Sequence, residues 1–273
     1  MQIEVIKSPS EQAQAQPVLF VHGIFTGAWI WQEHFLPWFA EQGYHAWALS
    51  LRGHGGSEGH QDLHHWGLDD YVADLTQVAA KMELAYRRKP LIVGHSMGGM
   101  VVQRYLSKNQ GAGAVLLCSM PPQGLVPLSW QSLLQHPRLT LEMGQTYLNP
   151  NLASRRQLQE ILFHHPMPEE DLDRWLAQMG AESRQLLWDL SWGALPNIYQ
   201  VQRTPLAVIG ARHDRLVPTT MVSMTGWSYA LAPLWLEEMG HGVMLEPNWQ
   251  QAAHLIKAQL DTMTQFQQQT ACA

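Results

Sequence analysis

Gly94-His95-Ser96-Met97-Gly98 holds a serine between two glycines and two apolar runs. Leu91-Ile92-Val93 before it reads as a buried strand, and Gly99-Met100-Val101-Val102-Gln103-Arg104-Tyr105-Leu106 after it is apolar at helical spacing. A strand that turns at once into a helix sets the middle residue on a tight corner, its side chain free above the sheet edge. The flanking glycines spare that corner the collisions a Cβ would cause. The helix start also aims unpaired N–H groups and a positive dipole end at whatever binds beside the serine. Such a corner suits a serine nucleophile. The same pattern recurs at Gly55-Gly56-Ser57-Glu58-Gly59, but turn residues crowd both sides and no apolar helical run follows. Ser57 therefore reads as a loop residue, and Ser96 as the candidate.

A serine hydroxyl near neutral pH needs a base, a group that orients the base, and donors for the oxyanion that forms. Pro205-Leu206-Ala207-Val208-Ile209-Gly210 reads as a buried strand, and Asp214 lies in the loop after it. Leu234-Trp235-Leu236-Glu237 reads as the next strand, followed by Met239-Gly240-His241-Gly242. Asp214 as acid and His241 as base then leave the same sheet edge as Ser96, in the chain order expected for such an elbow. Asp189 and Asp70 are the alternative acids. Near the start, the strand Val18-Leu19-Phe20-Val21 feeds the loop His22-Gly23-Ile24-Phe25-Thr26-Gly27. The backbone N–H groups of Ile24 and Met97 are the candidate oxyanion donors, with Phe25 as an alternative to Ile24.

With these pieces assembled the chain resembles the α/β-hydrolase family over almost its whole length. The loop Arg52-Gly53-His54-Gly55-Gly56-Ser57 is similar to the family's loop after the strand that precedes the elbow helix. The resemblance implies Ser96 as nucleophile, Asp214 as acid and His241 as base. The stretch from His22 to Trp31 is also similar to the plant methylesterase and hydroxynitrile lyase branch. The lyases carry a lysine just after the histidine, where this chain has Gly242 and Val243, which argues against cyanohydrin chemistry. A serine at position 96 likewise argues against the haloalkane dehalogenase and epoxide hydrolase branches, which use aspartate there.

The elements that must position these residues alternate strand and helix from Pro17 to Met120 and again from Thr204, the pattern of a mostly parallel, doubly wound α/β sheet. Strands are expected at Ile3–Ile6, Val18–Val21, His45–Leu49, Leu91–Val93, Ala114–Leu117, Leu206–Ile209 and Leu234–Glu237. Helices are expected at Trp31–Gln42, Asp69–Ala85, Gly99–Asn109, Thr219–Ala230 and Asn248–Gln265. Between these two blocks, residues 121–203 lack strand signals while helix starts recur, as at Leu152–Phe163, Pro168-Glu169-Glu170-Asp171 and Ala181–Leu190. This segment reads as a helical cap inserted into a core of residues 1–120 and 204–273. Its Trp130, Trp175, Trp188 and Trp192, with Phe25 of the core, are the expected pocket residues.

Composition bounds the partners. In 273 residues, 17 Lys+Arg against 23 Asp+Glu give a formal net charge of −6, with no basic stripe, so nucleic-acid binding is not expected. No run approaches the roughly 20 apolar residues of a membrane span, and no signal peptide is apparent, so a cytoplasmic location is expected. Cys118 reads as a small core hydrophobe and Cys272 as part of a frayed Gln-rich tail from Gln265. His54, His60, His64 and His65 lack ligand spacing, as does His164-His165-Pro166, so neither metal nor cofactor is expected. The expected activity is hydrolysis of a small carboxylic ester by water. Thioester or carbon–carbon hydrolysis and perhydrolysis are rivals on the same residues. A non-catalytic binding member of the fold would lack part of the triad.

Overall fold

The computed structural model describes residues 1–12, 16–135, 137–148, 152–193 and 195–271. Seven strands form one sheet in the order β1 (Val5–Ser8), β3 (Tyr44–Leu49), β2 (Gln16–Val21), β4 (Leu91–His95), β5 (Ala114–Leu117), β6 (Leu206–Ala211) and β7 (Leu234–Leu236). β1 is antiparallel to β3, and every other pair is parallel. Parallel strands need crossover helices, and these cover both faces. Apolar residues along the strands alternate between the two cores. Phe20, Ala48, Val93 and Val115 face α1 (Trp29–Gln32), α2 (Phe35–Glu41) and α12 (Trp249–Ala271), packing with Trp31, Phe35, Phe39 and Ile256. Leu19, Leu49, Ile92 and Leu116 face α3 (Leu68–Tyr86), α4 (Met97–Leu106) and α11 (Thr219–Ser228), packing with Leu75, Val101 and Val222. Each such fully buried side chain contributes roughly 1.5–3 kcal/mol.

The single helix expected over Trp31–Gln42 is two. Pro37 has no N–H to donate to the carbonyl of residue 33 and would crowd it, so the helix restarts at Phe35 with Pro37 in its first turn. Glu33 lies at the interruption, and its carboxylate accepts bonds from Arg174 at 2.8 and 2.9 Å and from Trp175 Nε1 at 3.1 Å. β4 and α4 meet closer than expected, at His95 and Met97, because His95 still pairs with Leu117. β1 begins at Val5 rather than Ile3, set by the pairing of Val5 with Leu49. α12 continues to Ala271, past the Gln265 where the sequence predicts its end, and Cys272 lies outside the described residues.

The chain between β5 and β6 carries α5 (Leu125–Gln135), α6 (Pro137–Leu148), α7 (Arg155–Leu162), α8 (Glu169–Leu176), α9 (Arg184–Trp188), a π turn at Asp189–Gly193 and α10 (Ile198–Val201). Side-chain oxygens of Ser154, Ser183 and Asn197 cap three of these helices. The segment is tied to the core by the Glu33–Arg174 pair and by Gly180 N–H donating to the Phe25 carbonyl at 2.9 Å. A buried carboxylate from Glu182 adds a third tie. It accepts from His54 Nε2 at 3.2 Å, Tyr71 OH at 3.0 Å and Ser183 N–H at 2.7 Å. No helix among the described residues is long and apolar enough to cross a membrane.

Candidate active site

Ser96 is the one residue between β4 and α4, and it has φ 55° and ψ −121°. That region disfavours any side chain, and the surrounding structure must hold it there at a cost of about 1–3 kcal/mol. Two glycines make the corner sterically possible. A Cβ on Gly98 would stand 2.3 Å from the His22 carbonyl oxygen, so only glycine lets α4 start against the end of β2. A Cβ on Gly23 would stand 3.0 Å from Ser96 Cβ, so glycine also lets the loop after β2 pass over the serine. Met97 opens α4, and its N–H has no partner one turn back. Ile24 and Met97 both border Ser96 in one cavity. Phe25 next to them has φ 63° and lines a second cavity at Ser96.

Asp214 and His241 come together from the loops after β6 and β7. His241 Nδ1 donates to Asp214 Oδ2 at 2.7 Å, because a carboxylate can only accept there. Asp214 Oδ1 accepts the N–H groups of Leu216 and Val217, each at 2.8 Å, which fixes the carboxylate plane. Ser96 and His241 line the same cavity, whose walls include Ile30, Leu158, Trp175, Met179 and Met244. The wall is almost wholly apolar. This cavity lies between the core and the helices inserted after β5.

Three residues that the sequence reading did not assign to the site hold it together. His95 Nε2 donates to the His241 carbonyl at 2.9 Å, and the two rings lie 4.6 Å apart. Burial first, and then the nearness of His241, hold the His95 pKa well below its ordinary value, so His95 stays neutral. Glu246, fully buried, accepts Gly240 N–H at 2.9 Å and His164 N–H at 2.6 Å, joining the histidine loop to the chain after α7. Cys118 closes β5 at φ 45°, buried as expected, but its thiol lies against Asp214. Chain position hints at His95, next to Ser96, and at Glu246, in the same loop as His241, whereas Cys118 reaches the site only through the fold.

The rivals are occupied elsewhere. Ser57 Oγ donates to the Ser50 carbonyl at 2.6 Å and accepts Glu4 N–H at 2.9 Å, tying the amino-terminal segment down. Asp189 accepts Leu68 N–H at 2.8 Å, and Asp70 accepts Gly67 N–H at 2.9 Å, so both serve the start of α3. Of the expected pocket residues, Phe25 and Trp175 line the cavity. Trp130, Trp188 and Trp192 do not. They are 64%, 62% and 68% exposed on the outer faces of their helices, since the inward positions there go to Leu125, Leu186 and Leu190. Trp29 lines the cavity instead. Among the described residues, the sole close group of three metal-ligating types is Cys118, Asp214 and His241. The histidines from His54 to His65 do not converge.

A family model described as the alpha/beta hydrolase family matches residues 18–253. A non-heme chloroperoxidase of Burkholderia pyrrocinia is 34% identical over 125 residues, which cover 44% of this chain and 43% of that protein. The match thus spans less than half of that relative's length. Among solved structures, an esterase from Exiguobacterium antarcticum superposes with TM-score 0.68 at 16% identity, covering 94% of each chain. The monoacylglycerol lipase of Paleococcus ferrophilus superposes with TM-score 0.67 at 16% identity, covering 96% of this chain and all of that one.

Proposed function

Because the chain belongs to the alpha/beta hydrolase family, we propose that it is a serine hydrolase cleaving carboxylic esters through an acyl-enzyme on Ser96. The observation that carries this reading is one convergence. A serine held at φ 55° and a histidine bonded to a buried aspartate at 2.7 Å share one apolar cavity. In the first half-reaction Ser96 Oγ attacks the ester carbonyl while His241 Nε2 takes its proton. Asp214 holds Nδ1–H, which fixes the tautomer and stabilises the imidazolium. The N–H groups of Ile24 and Met97 receive the oxyanion. The alcohol leaves with the proton from His241, and water then releases the acid by the same route.

The apolar cavity suits a short- to medium-chain acyl group or a monoacylglycerol-like ester. Residues 121–203 act as its cap, excluding water from the acyl side. No cofactor enters this chemistry. The test is active-site labelling with a fluorophosphonate, alongside p-nitrophenyl esters of rising acyl length. Wild type and Ser57→Ala should label and turn over, and Ser96→Ala should do neither, with kcat down about 10⁴- to 10⁶-fold. Labelling that persists in Ser96→Ala refutes the assignment.

The chloroperoxidase relative favours keeping a second reading, in which hydrogen peroxide accepts the acyl group in place of water. The two differ in product, so assaying ester plus peroxide for peracid separates them.

A further inference from the structure

Cys118 Sγ, a carboxylate oxygen of Asp214 and a ring nitrogen of His241 all lie within 4.8 Å of one another, and all three residues are buried. They come from the end of β5 and from the loops after β6 and β7, so three separate elements converge on one point. Thiolate, imidazole and carboxylate together form a borderline-soft donor set. Zn²⁺ takes such ligands in tetrahedral geometry at about 2.0–2.3 Å, whereas Mg²⁺ and Ca²⁺ prefer oxygen alone. Tetrahedral bonds of that length separate the donors by roughly 3.3–3.7 Å; the three donors already lie within 4.8 Å of one another, and His241 Nδ1 and Asp214 Oδ2, 2.7 Å apart, would open to admit the ion.

We infer that Cys118, Asp214 and His241 form an inhibitory Zn²⁺ site built into the catalytic machinery. As the metal enters, bonds form from Zn²⁺ to Sγ, to an Asp214 oxygen and to His241 Nδ1. The thiol proton leaves to solvent, and the remaining imidazole proton sits on Nε2; nothing is oxidised or reduced. The Asp214–His241 hydrogen bond is lost. Nε2, now carrying hydrogen, has no lone pair left to take the proton of Ser96. The inhibition rests on the triad assignment above, whereas the binding does not. The site exists because the one cysteine of the described core stands beside the acid.

The experiment uses the full chain freed of metal with EDTA and then titrated with ZnCl₂, with MgCl₂ as control. Equilibrium dialysis is run on Ser96→Ala with and without Cys118→Ala, and ester hydrolysis on wild type, Cys118→Ala and Cys118→Ser. One zinc should bind per chain in Ser96→Ala, and its affinity should drop at least about tenfold when Cys118 is also replaced. Wild-type hydrolysis should fall with zinc and return on EDTA, while Mg²⁺ leaves it unchanged. Each cysteine variant, scaled to its own zinc-free rate, should need at least about tenfold more zinc. Equal binding with and without Cys118 overturns the site. Zinc bound through Cys118 while hydrolysis continues overturns the inhibition. If no ester is hydrolysed at all, the dialysis still decides the site, and the failure belongs to the proposed activity.

Discussion

Replacing Glu182 by alanine tests how the helices inserted after β5 are fastened to the sheet. The carboxylate has no exposed surface and accepts three bonds, from His54 Nε2, Tyr71 OH and Ser183 N–H. Burial lowers the His54 pKa, but the Glu182 charge and hydrogen bond outweigh it, and His54 titrates above its ordinary 6.5. Burial raises Glu182, and the same partner outweighs that, so Glu182 titrates below its ordinary 4.5. Removing one member of a buried pair costs about 3–5 kcal/mol, because the other is left without a partner. Here Tyr71 and Ser183 also lose an acceptor. For a domain of this size that predicts a Tm lower by about 6–20 °C.

Glu182→Gln keeps the volume and an acceptor for Tyr71 and Ser183, and neutral His54 can accept from the new amide, so it should cost only about 1–2 kcal/mol. The pH dependence has a definite sign. The raised His54 pKa contributes stability that is complete below 6.5 and lost as pH rises through the folded value. The lowered Glu182 pKa contributes stability that is complete above 4.5 and lost as pH falls through the folded value. The gap between wild type and Glu182→Gln in scanning calorimetry should therefore be widest between about pH 5 and pH 6 and should narrow as pH rises through the folded-state value of His54. A gap that is flat with pH, or an alanine variant within about 1 kcal/mol of wild type, refutes the ion pair as the fastening.

Three further outcomes follow from the site. Asp214→Asn should lower kcat by about 10⁴-fold by offering His241 the wrong tautomer, while Asp189→Asn should cost about 1 kcal/mol of stability at the start of α3 and little turnover; ester kinetics and thermal melts on both variants check this. Trp175→Leu should shift the ratio of kcat/KM between short and medium acyl esters by about tenfold, whereas Trp130→Ala, whose side chain faces solvent, should leave that ratio alone; the p-nitrophenyl ester panel reads it. Glu246→Ala removes the oxygen that the N–H groups of Gly240 and His164 share, so it should lower kcat by up to about 10²-fold with little change in KM, and a KM effect without loss of kcat would show that the histidine loop does not depend on it.

The site was legible where chemistry and local backbone coincide. Ser96 could be told from Ser57 because only Ser96 stands between a strand run and a helix run, and such a corner is set by neighbours in sequence. Asp214 and His241 were legible for a related reason, since parallel strands send every following loop to one edge of the sheet. The sheet itself followed from the alternation of apolar runs, which is a property of short windows. What was misread depends on which face of a helix looks inward. Four cap tryptophans were expected in the pocket, yet only Trp175 lines it, because a short helix of mixed polarity has no face until something packs against it.

The sequence by itself determined the elbow, the placing of Ser96, Asp214 and His241 on loops after strands, and the class of fold, because each is written in residues close along the chain. Only the tertiary structure decided that Cys118 lies against Asp214, that Glu246 takes the N–H of His164 from 82 positions away, and that Glu182 reaches His54 across 128. These contacts join residues from separate elements, and no local pattern of hydrophobicity or turn chemistry encodes a distance between them. They exist because packing seven strands and their helices brings the strand ends to one edge, and polar groups buried there must find partners among whatever side chains arrive.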